Sequence, residues 1–331
     1  VTSIVAADIG GTNARFTIAT LDDKGVPTLG EVRKYKVADY PSLAACWRAF
    51  KADAGEPLPD CLSVAFAAAI ASDSIKLTNS SWVIRPANLA QDLGLSEVKL
   101  VNDFEAVAYA VAKLPLEALP VLFGPDVQLP TDGTVTILGP GTGLGVAMIL
   151  FANGEPHVIA TEGGHIDFAP LDALEGRILD HLRGDFVRVS TERIVSGPGL
   201  NNLYKSLAMI THEPITLMSD ADLWQAALDG TQTHPLARAA LERLCMCYGS
   251  IAGDLALTHG PHHVVLAGGL TQRMRDFLVH HSNFHERFTA KGRFQALMRT
   301  IPVRLAAYPE IGLYGAAAAW GTAKNKAGQH I

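Results

Sequence analysis

Two glycine-rich turns carry the first chemical signal in this sequence. Asp8-Ile9-Gly10-Gly11-Thr12-Asn13 and Gly139-Pro140-Gly141-Thr142-Gly143-Leu144-Gly145 each follow an apolar run containing β-branched residues. Phosphate oxygens need several backbone N–H groups aimed at one point, and glycine permits that close approach. Asp8, at the end of its run, is the right type to hold a water of a phosphate-bound Mg²⁺, a cation that keeps several waters. The same loops would also serve as plain hairpin turns, for which glycine is sterically cheapest. Neither is a Walker loop, since no Gly-Lys-Ser/Thr ends it, nor a dinucleotide fingerprint, since strands rather than helices follow. Gly268-Gly269, between a strand and a helix, is a third candidate, suited to a nucleotide's phosphates or the edge of an adenine. A strand-to-helix turn without ligand is its plainer alternative.

A second class of signal is polar side chains where apolar strands end. Asn102-Asp103 follows Val98-Lys99-Leu100-Val101, at the carboxyl edge where ligands bind in α/β sheets. Asp103 could equally be the N-cap of the helix that follows. Glu162-Gly163-Gly164-His165-Ile166-Asp167 gathers carboxylates and an imidazole around two glycines, but no further His or Cys at ligand spacing supports a metal site. Glu192 follows Ser190, which has the look of an N-cap, so it could be a first-turn residue favoured by the helix dipole. Taken together, Asn102, Asp103, Glu162, His165 and Glu192 suit a polyol, whose vicinal hydroxyls each donate and accept. An Asp beside the reacting hydroxyl could orient it and take its proton, as in phosphoryl transfer.

The elements that must position these residues follow from pattern. Ser3–Asp8, Ala14–Ala19 and Val32–Val37 form an antiparallel meander, and a helix follows with Pro41 in its first turn and Leu43, Cys46, Trp47 and Phe50 on one face. Strands 62–67, 74–78 and 98–101 lead into a helix over 104–113. Pro115, Pro120, Pro125 and Pro130 mark a domain crossing. The pattern then restarts with strands 134–138, 146–151 and 157–161, suggesting two related halves. Residues 171–259 are mostly helical, with Pro198, Asp220 and Pro235 as start signals. Strand 263–267, a late strand 301–307 and an Ala-rich helix opened by Gly312 complete a mixed α/β chain.

Composition excludes several classes. At 331 residues, 48% hydrophobic and 18% charged, the chain is neither disordered nor fibrous, and spans one large or two medium domains. A net charge of −6 offers no basic field for nucleic acid or anionic lipid. Residues 134–152 are uncharged and long enough to cross a bilayer, but Gly139, Pro140, Gly141, Gly143 and Gly145 at their centre would break a helix, so two strands around a turn are expected. The first residues lack a basic region and meet Asp8, unlike a signal peptide. Cys46, Cys61, Cys245 and Cys247 make no disulfide framework, and Cys245 and Cys247 are spaced to point to different faces of a helix. A reducing cytoplasm fits them best.

These residues resemble bacterial glucokinase of the proteobacterial type, within the actin and sugar-kinase superfamily, over essentially the whole length. The resemblance is carried by Asp8 to Arg15, Leu77-Thr78-Asn79-Ser80-Ser81-Trp82, Val101 to Ala106, Gly139 to Gly145, Glu162 to Phe168, Glu192 to Leu200 and Ala267-Gly268-Gly269, in family order. It implies an α/β, two-domain actin/hexokinase-like (ribonuclease H-like) fold with an interdomain active-site cleft. The small domain would be residues 1–113 plus 309–331 and the large domain 114–308. It implies ATP- and Mg²⁺-dependent phosphorylation of D-glucose to glucose 6-phosphate, the entry to glycolysis, by a cytoplasmic homodimer. Asp103 would be the base toward the 6-hydroxyl. Asn102, Glu162, His165 and Glu192 would hold the other hydroxyls, with backbone help at Gly139. Ala7, Asp8, Ile9, Gly10, Gly11, Thr12, Thr142 and Gly143 would flank the phosphates, with Asp8 holding Mg²⁺ through water, and Gly268 and Gly269 the adenosine. Departures from the usual pattern stand at Ala7, Ala69 and Ser72, where family members carry Gly, Pro and Gly. The zinc motif of the ROK sugar kinases is absent. Two rival readings are a sugar sensor without catalysis, disfavoured by the intact Asp103 and both loops, and a phosphotransferase for another acceptor such as mannose, glucosamine or a carboxylate.

Overall fold

The structure, a computed structural model, describes residues 2–55, 57–67, 73–77, 80–229 and 233–328. Ala69, Ser72, Thr78 and Asn79, named above, lie outside the described residues. The chain divides into two compact units, Val1–Pro115 with Tyr308–Ile331, and Leu116–Ala307.

In the first unit, β1 (Thr2–Ile9) and β2 (Asn13–Leu21) form an antiparallel hairpin running from Thr2 opposite Leu21 to Ile9 opposite Ala14. β3 (Pro27–Leu29) pairs with the far end of β2 and β4 (Arg33–Lys36) with the near end. The expected strand 32–37 is trimmed to β4 because Val37 already starts a 3₁₀ turn. β3 escaped the sequence reading, since three residues carry no measurable alternation. α1 (Leu43–Ala54) buries Leu43, Cys46, Trp47 and Phe50, with Phe50 stacked on Phe16 at 5.0 Å between ring centres. Its cap is Ser42, whose Oγ accepts from the Ala45 N–H. Pro41 therefore precedes the cap instead of occupying the first turn.

Next come β5 (Cys61–Phe66), a small hairpin of β6 (Ile75–Lys76) and β7 (Val83–Ile84), α2 (Leu89–Leu93), β8 (Glu97–Asn102) and α3 (Asp103–Val111). Strand order is β3-β2-β1-β5-β8, and β1, β5 and β8 run parallel. β1 is buried on both faces. Val5, Ala7 and Ile9 join the core that contains α1, while Ile4 and Ala6 meet Leu313, Ala317 and Trp320 of the C-terminal helix, Ile311–Gly328. The period of two sends alternate side chains to opposite layers, so a near-continuous apolar run becomes a central strand.

The second unit contains β9 (Val121–Phe123), β10 (Gly133–Pro140), β11 (Leu144–Ala152), β12 (Glu155–Thr161), α4 (Ala173–Leu182), α5 (Gly197–Thr211), α6 (Asp220–Leu228) and α7 (Pro235–His259). It ends with β13 (Pro261–Leu266), the short helices α8 (Gly269–Arg273), α9 (Arg275–His280), α10 (Phe284–Thr289) and α11 (Gln295–Met298), and β14 (Val303–Leu305). Strand order is β12-β11-β10-β13-β14-β9. The uncharged stretch is the β10–β11 hairpin, and among the described residues no helix is long and apolar enough to cross a membrane. β9 was hidden among the prolines. It is held by β14, whose buried Arg304 donates to the Leu119 and Val127 carbonyls and pairs with Asp126 at 2.7 Å. α7 buries residues around its circumference, as a central helix does, and its Tyr248 hydroxyl donates to the Leu138 carbonyl at 3.1 Å. That bond fixes β10 one residue before Gly139.

The two sheets share one plan. In each, a hairpin (β1–β2, β10–β11) continues into an outer antiparallel strand on one side and parallel strands (β5 and β8, β13 and β14) on the other. The two halves suggested by the repeated strand–glycine–strand pattern thus share five strands in the same order, to which the first adds β4 beside β2 and the second adds β9 beside β14.

Candidate active site

In the first unit, the parallel strands deliver their carboxyl ends to one edge. Ile9 lies level with Phe66, and Phe66 with Asn102, so the Asp8 and Asn102 ends are two strand spacings apart, roughly 10 Å. Asn102, not Asp103, is the N-cap of α3. Its Oδ1 accepts from the Phe104 and Glu105 N–H groups, and Glu105 Oε2 accepts from the Asn102 N–H at 3.2 Å, a reciprocal capping box. Asp103 is freed from the capping role and stands in the first helical turn, its rotamer tied by Oδ1 accepting from the Phe104 N–H at 2.9 Å. Burial raises the Glu105 carboxyl, against the pull of the Asn102 N–H and Lys99.

Asp8 faces Arg15 across the hairpin register, and Arg15 Nη1 donates to Asp8 Oδ2 at 3.0 Å. Burial pushes the Asp8 carboxyl upward while Arg15 holds it down. The C-terminal helix begins against the same carboxylate: a Cβ on Gly312 would stand 2.8 Å from Asp8 Cγ and Oδ2. The turn between the strands closes by the Gly10 N–H donating to the Asn13 carbonyl. Gly11 is half-buried and Thr12 is exposed at that turn, whereas Ala7 and Ile9 bury their side chains in the core. Their backbones pair with β2 on one side and β5 on the other, and the Ile9 carbonyl accepts from the Ala67 N–H.

In the second unit, three glycine segments converge. The β10–β11 turn exposes Gly141 and Thr142, and the Gly141 N–H donates to the Gly143 carbonyl at 2.8 Å. The Gly197 N–H, in the first turn of α5, donates to the Gly141 carbonyl at 2.8 Å. Gly268, with φ +88°, brings the β13–α8 turn so close that a Cβ there would lie 3.1 Å from the Pro140 carbonyl oxygen. Gly139 is buried and pairs with Gly145. Gly269 opens α8. The α5 N-terminus was given no role from sequence, although Ser196-Gly197-Pro198 carried the signal: Ser196 Oγ caps by accepting from the Gly199 N–H, and Pro198 sits in the first turn.

Beside this tip lie the proposed sugar residues. After β12 the chain makes a 3₁₀ turn, Gly163–His165, and a second turn, Thr191–Arg193, is lashed to it by the Thr191 N–H donating to the Ile166 carbonyl at 2.8 Å. The result is a row of carboxylate, imidazole and carboxylate. His165 Nδ1 lies 3.6 Å from Glu192 Oε1, and His165 Nε2 lies 3.9 Å from Glu162 Oε2. His165 and Glu162 keep 57% and 67% of their side-chain exposure and Glu192 keeps 18%, so the row opens to solvent from a fixed base. These gaps exceed a direct hydrogen bond, so the three side chains lie side by side without being locked to one another. Glu192 Oε2 also lies 2.6 Å from where a Cβ on Gly143 would stand, which joins the row to the loop. Ser190 stands at the cap position, but its side chain makes no cap bond. Among the described residues no three His, Cys, Asp or Glu side chains cluster as a metal cage. Asp167 instead pairs with Arg188 at 2.6 Å.

Taken unit by unit, the second has glycine turns and a row of carboxylates and imidazole of the types that suit phosphate and hydroxyls, and the first presents the Asp103 carboxylate at a helix start. A family model described as "Glucokinase" matches residues 5–323. A curated glucokinase of Zymomonas mobilis subsp. mobilis is 51% identical over 317 residues, covering 96% of this chain and 97% of that protein. Among solved structures, a glucokinase from an Antarctic psychrotroph superposes with a TM-score of 0.83 at 32% identity, covering 96% of this chain and 98% of that one. A Balamuthia mandrillaris glucokinase, solved in complex with glucose, has the same fold at 21% identity and a TM-score of 0.74, over 97% and 94% of the two chains.

Proposed function

From the premise that this chain belongs to the glucokinase family, has its two-domain α/β sugar-kinase fold and phosphorylates D-glucose at the 6-hydroxyl with ATP, we propose which residues perform each step. Asp103 is the general base. Its carboxylate accepts a hydrogen bond from the 6-hydroxyl and takes the proton as that oxygen bonds to the γ-phosphorus and the bond to ADP breaks. Asn102, Glu162, His165 and Glu192 hold the remaining hydroxyls, with the Gly139 backbone. The observation that carries this reading is the Glu162–His165–Glu192 row, which sets carboxylate acceptors on either side of an imidazole, groups that match vicinal hydroxyls able both to donate and to accept.

The phosphates of ATP lie along the Gly10–Thr12 turn, where the Gly10 N–H closes the turn and Gly11 and Thr12 supply the N–H groups, and along Thr142–Gly143, and the adenosine is met by Gly268 and Gly269. Asp8 fits a hydrated Mg²⁺: it is a hard oxygen donor fixed at a turn, and this cation takes one or two carboxylates beside substrate phosphates. When bound, Mg²⁺ supplies charge neutralisation on the phosphate oxygens. The transition state for this transfer is loose, so positioning supplies most of the acceleration and the base adds about 10²–10⁴-fold. Four free cysteines support a reducing cytoplasm, and the family relation supports a homodimer.

The test is Asp103→Ala, assayed for turnover by coupled ADP release and for glucose binding by calorimetry. Turnover should fall by about 10²–10⁴-fold while glucose binds within a fewfold of the parent. Near-normal kcat would remove Asp103 from its role.

A further inference from the structure

Glu310 is out of place by every local rule. It has φ +51°, one of three non-glycine residues at positive φ among those described, and its carbonyl accepts the Tyr314 N–H as the residue that starts the C-terminal helix. Helix starts prefer Ser, Thr, Asp or Asn with extended backbone, and a bulky residue in the left-handed region stores strain. The compensating contact is electrostatic. Glu310 Oε2 lies 3.1 Å from Arg15 Nε, on the guanidinium whose Nη1 donates to Asp8. The Nε–H is not aligned on that oxygen and finds no hydrogen-bond acceptor, so the contact is an ion pair without a fixed hydrogen bond. Asp8, Arg15 and Glu310 together carry a net charge of −1, with the cation shared between two carboxylates.

We propose that Glu310 is a positioning residue for the metal–nucleotide side of the reaction: by drawing on Arg15 from the opposite edge, it keeps Arg15 from neutralising Asp8 completely. The inference rests on the assignment of Asp8 to a metal-bound water. Without Glu310, Arg15 becomes a full counter-ion for Asp8 and competes with the divalent cation. Outer partners of this kind typically shift metal affinity by about 10–100-fold. Gly312 completes the arrangement, since its missing side chain lets the helix start lie against Asp8.

The variants are Glu310→Gln, which keeps the shape, and Glu310→Gly, which also relieves the left-handed backbone. Each is titrated with MgATP by calorimetry without glucose, compared with ATP in EDTA, and followed by thermal unfolding and steady-state kinetics. Both variants should bind MgATP about tenfold more weakly, with metal-free ATP and the KM for glucose unchanged and kcat at saturating MgATP retained. Glu310→Gly should melt no lower than Glu310→Gln. MgATP affinity within twofold of the parent in both variants overturns the proposal, as does an equal loss with and without metal. Asp8→Asn separates the two layers. If it leaves MgATP binding unchanged, the Asp8 assignment falls and the proposal with it. If it weakens binding while both Glu310 variants do not, only the role of Glu310 falls.

Discussion

Replacing Gly143 with alanine should separate the two roles proposed for the second unit, sugar and phosphate binding. The new Cβ would stand 2.6 Å from Glu192 Oε2, against an ordinary contact of 3.4 Å or more, so the carboxylate must retreat by about 0.8 Å. Glu192 is the far end of a flexible side chain, so folding stability should change little. Its other oxygen, however, faces His165 at 3.6 Å, and a retreat of that size disrupts the hydrogen-bonding site proposed for the sugar. A hydrogen bond to a charged group contributes about 1.5–3 kcal/mol, which corresponds to a loss of about 10–150-fold in kcat/KM for glucose. The phosphate contacts proposed for this loop come from backbone, and Gly143 lies outside the left-handed region, so the KM for ATP should move less than threefold. Steady-state kinetics with each substrate varied, beside a melting curve, decide the matter. Gly176→Ala in α4, where a Cβ meets nothing within 4 Å, is the control and should stabilise by about 0.5–1 kcal/mol without kinetic effect. A Gly143→Ala enzyme that uses glucose within twofold of the parent would show that Glu192 does not hold the sugar. A change confined to ATP would assign the loop to phosphate alone.

Two further predictions concern what holds the second unit together. Glu175 is 1% exposed and pairs with Arg243 at 2.8 Å and with Arg287, joining α4 to α7 and α10. Glu175→Ala leaves two guanidiniums short of their buried partner and should cost about 3–5 kcal/mol in denaturant unfolding; a cost below 1 kcal/mol would mean that Asp172 compensates. Burial lowers the pKa of His259, His263 and His285 below their ordinary value near 6.5, so the unfolded chain binds more protons than the folded one in mild acid. Their stabilising contribution is present above about pH 6.5 and is lost as pH falls through the lowered values. His285 stacks on Phe123 at 4.8 Å and its Nε2 has no hydrogen-bond partner, so His285→Phe should keep the neutral-pH melting temperature and flatten its fall toward pH 5; parallel curves for parent and variant would exclude His285 as a source of that fall.

What the sequence determined by itself were features governed by local chemistry. The apolar runs around Asp8 and Gly139, the glycines after them, and the start signals at Pro198, Asp220 and Pro235 each act through neighbours a few residues away, so strands, turns and helix starts could be read directly. Short elements such as β3 and β9 could not, because three residues show no period and gain their stability from the strand beside them. Local chemistry also left Asp103 open between cap and base. Only folded coordinates show Asn102 taking the cap through its bond to Glu105. Likewise, Glu162 and His165 are sequence neighbours, but Glu192 joins them through a turn-to-turn hydrogen bond between Thr191 and Ile166, and Glu310 reaches Arg15 from the far end of the chain. Such contacts depend on sheet order and chain crossing, which no window of sequence contains. Tertiary structure decided them because electrostatic and hydrogen-bonding partners are chosen by distance in space.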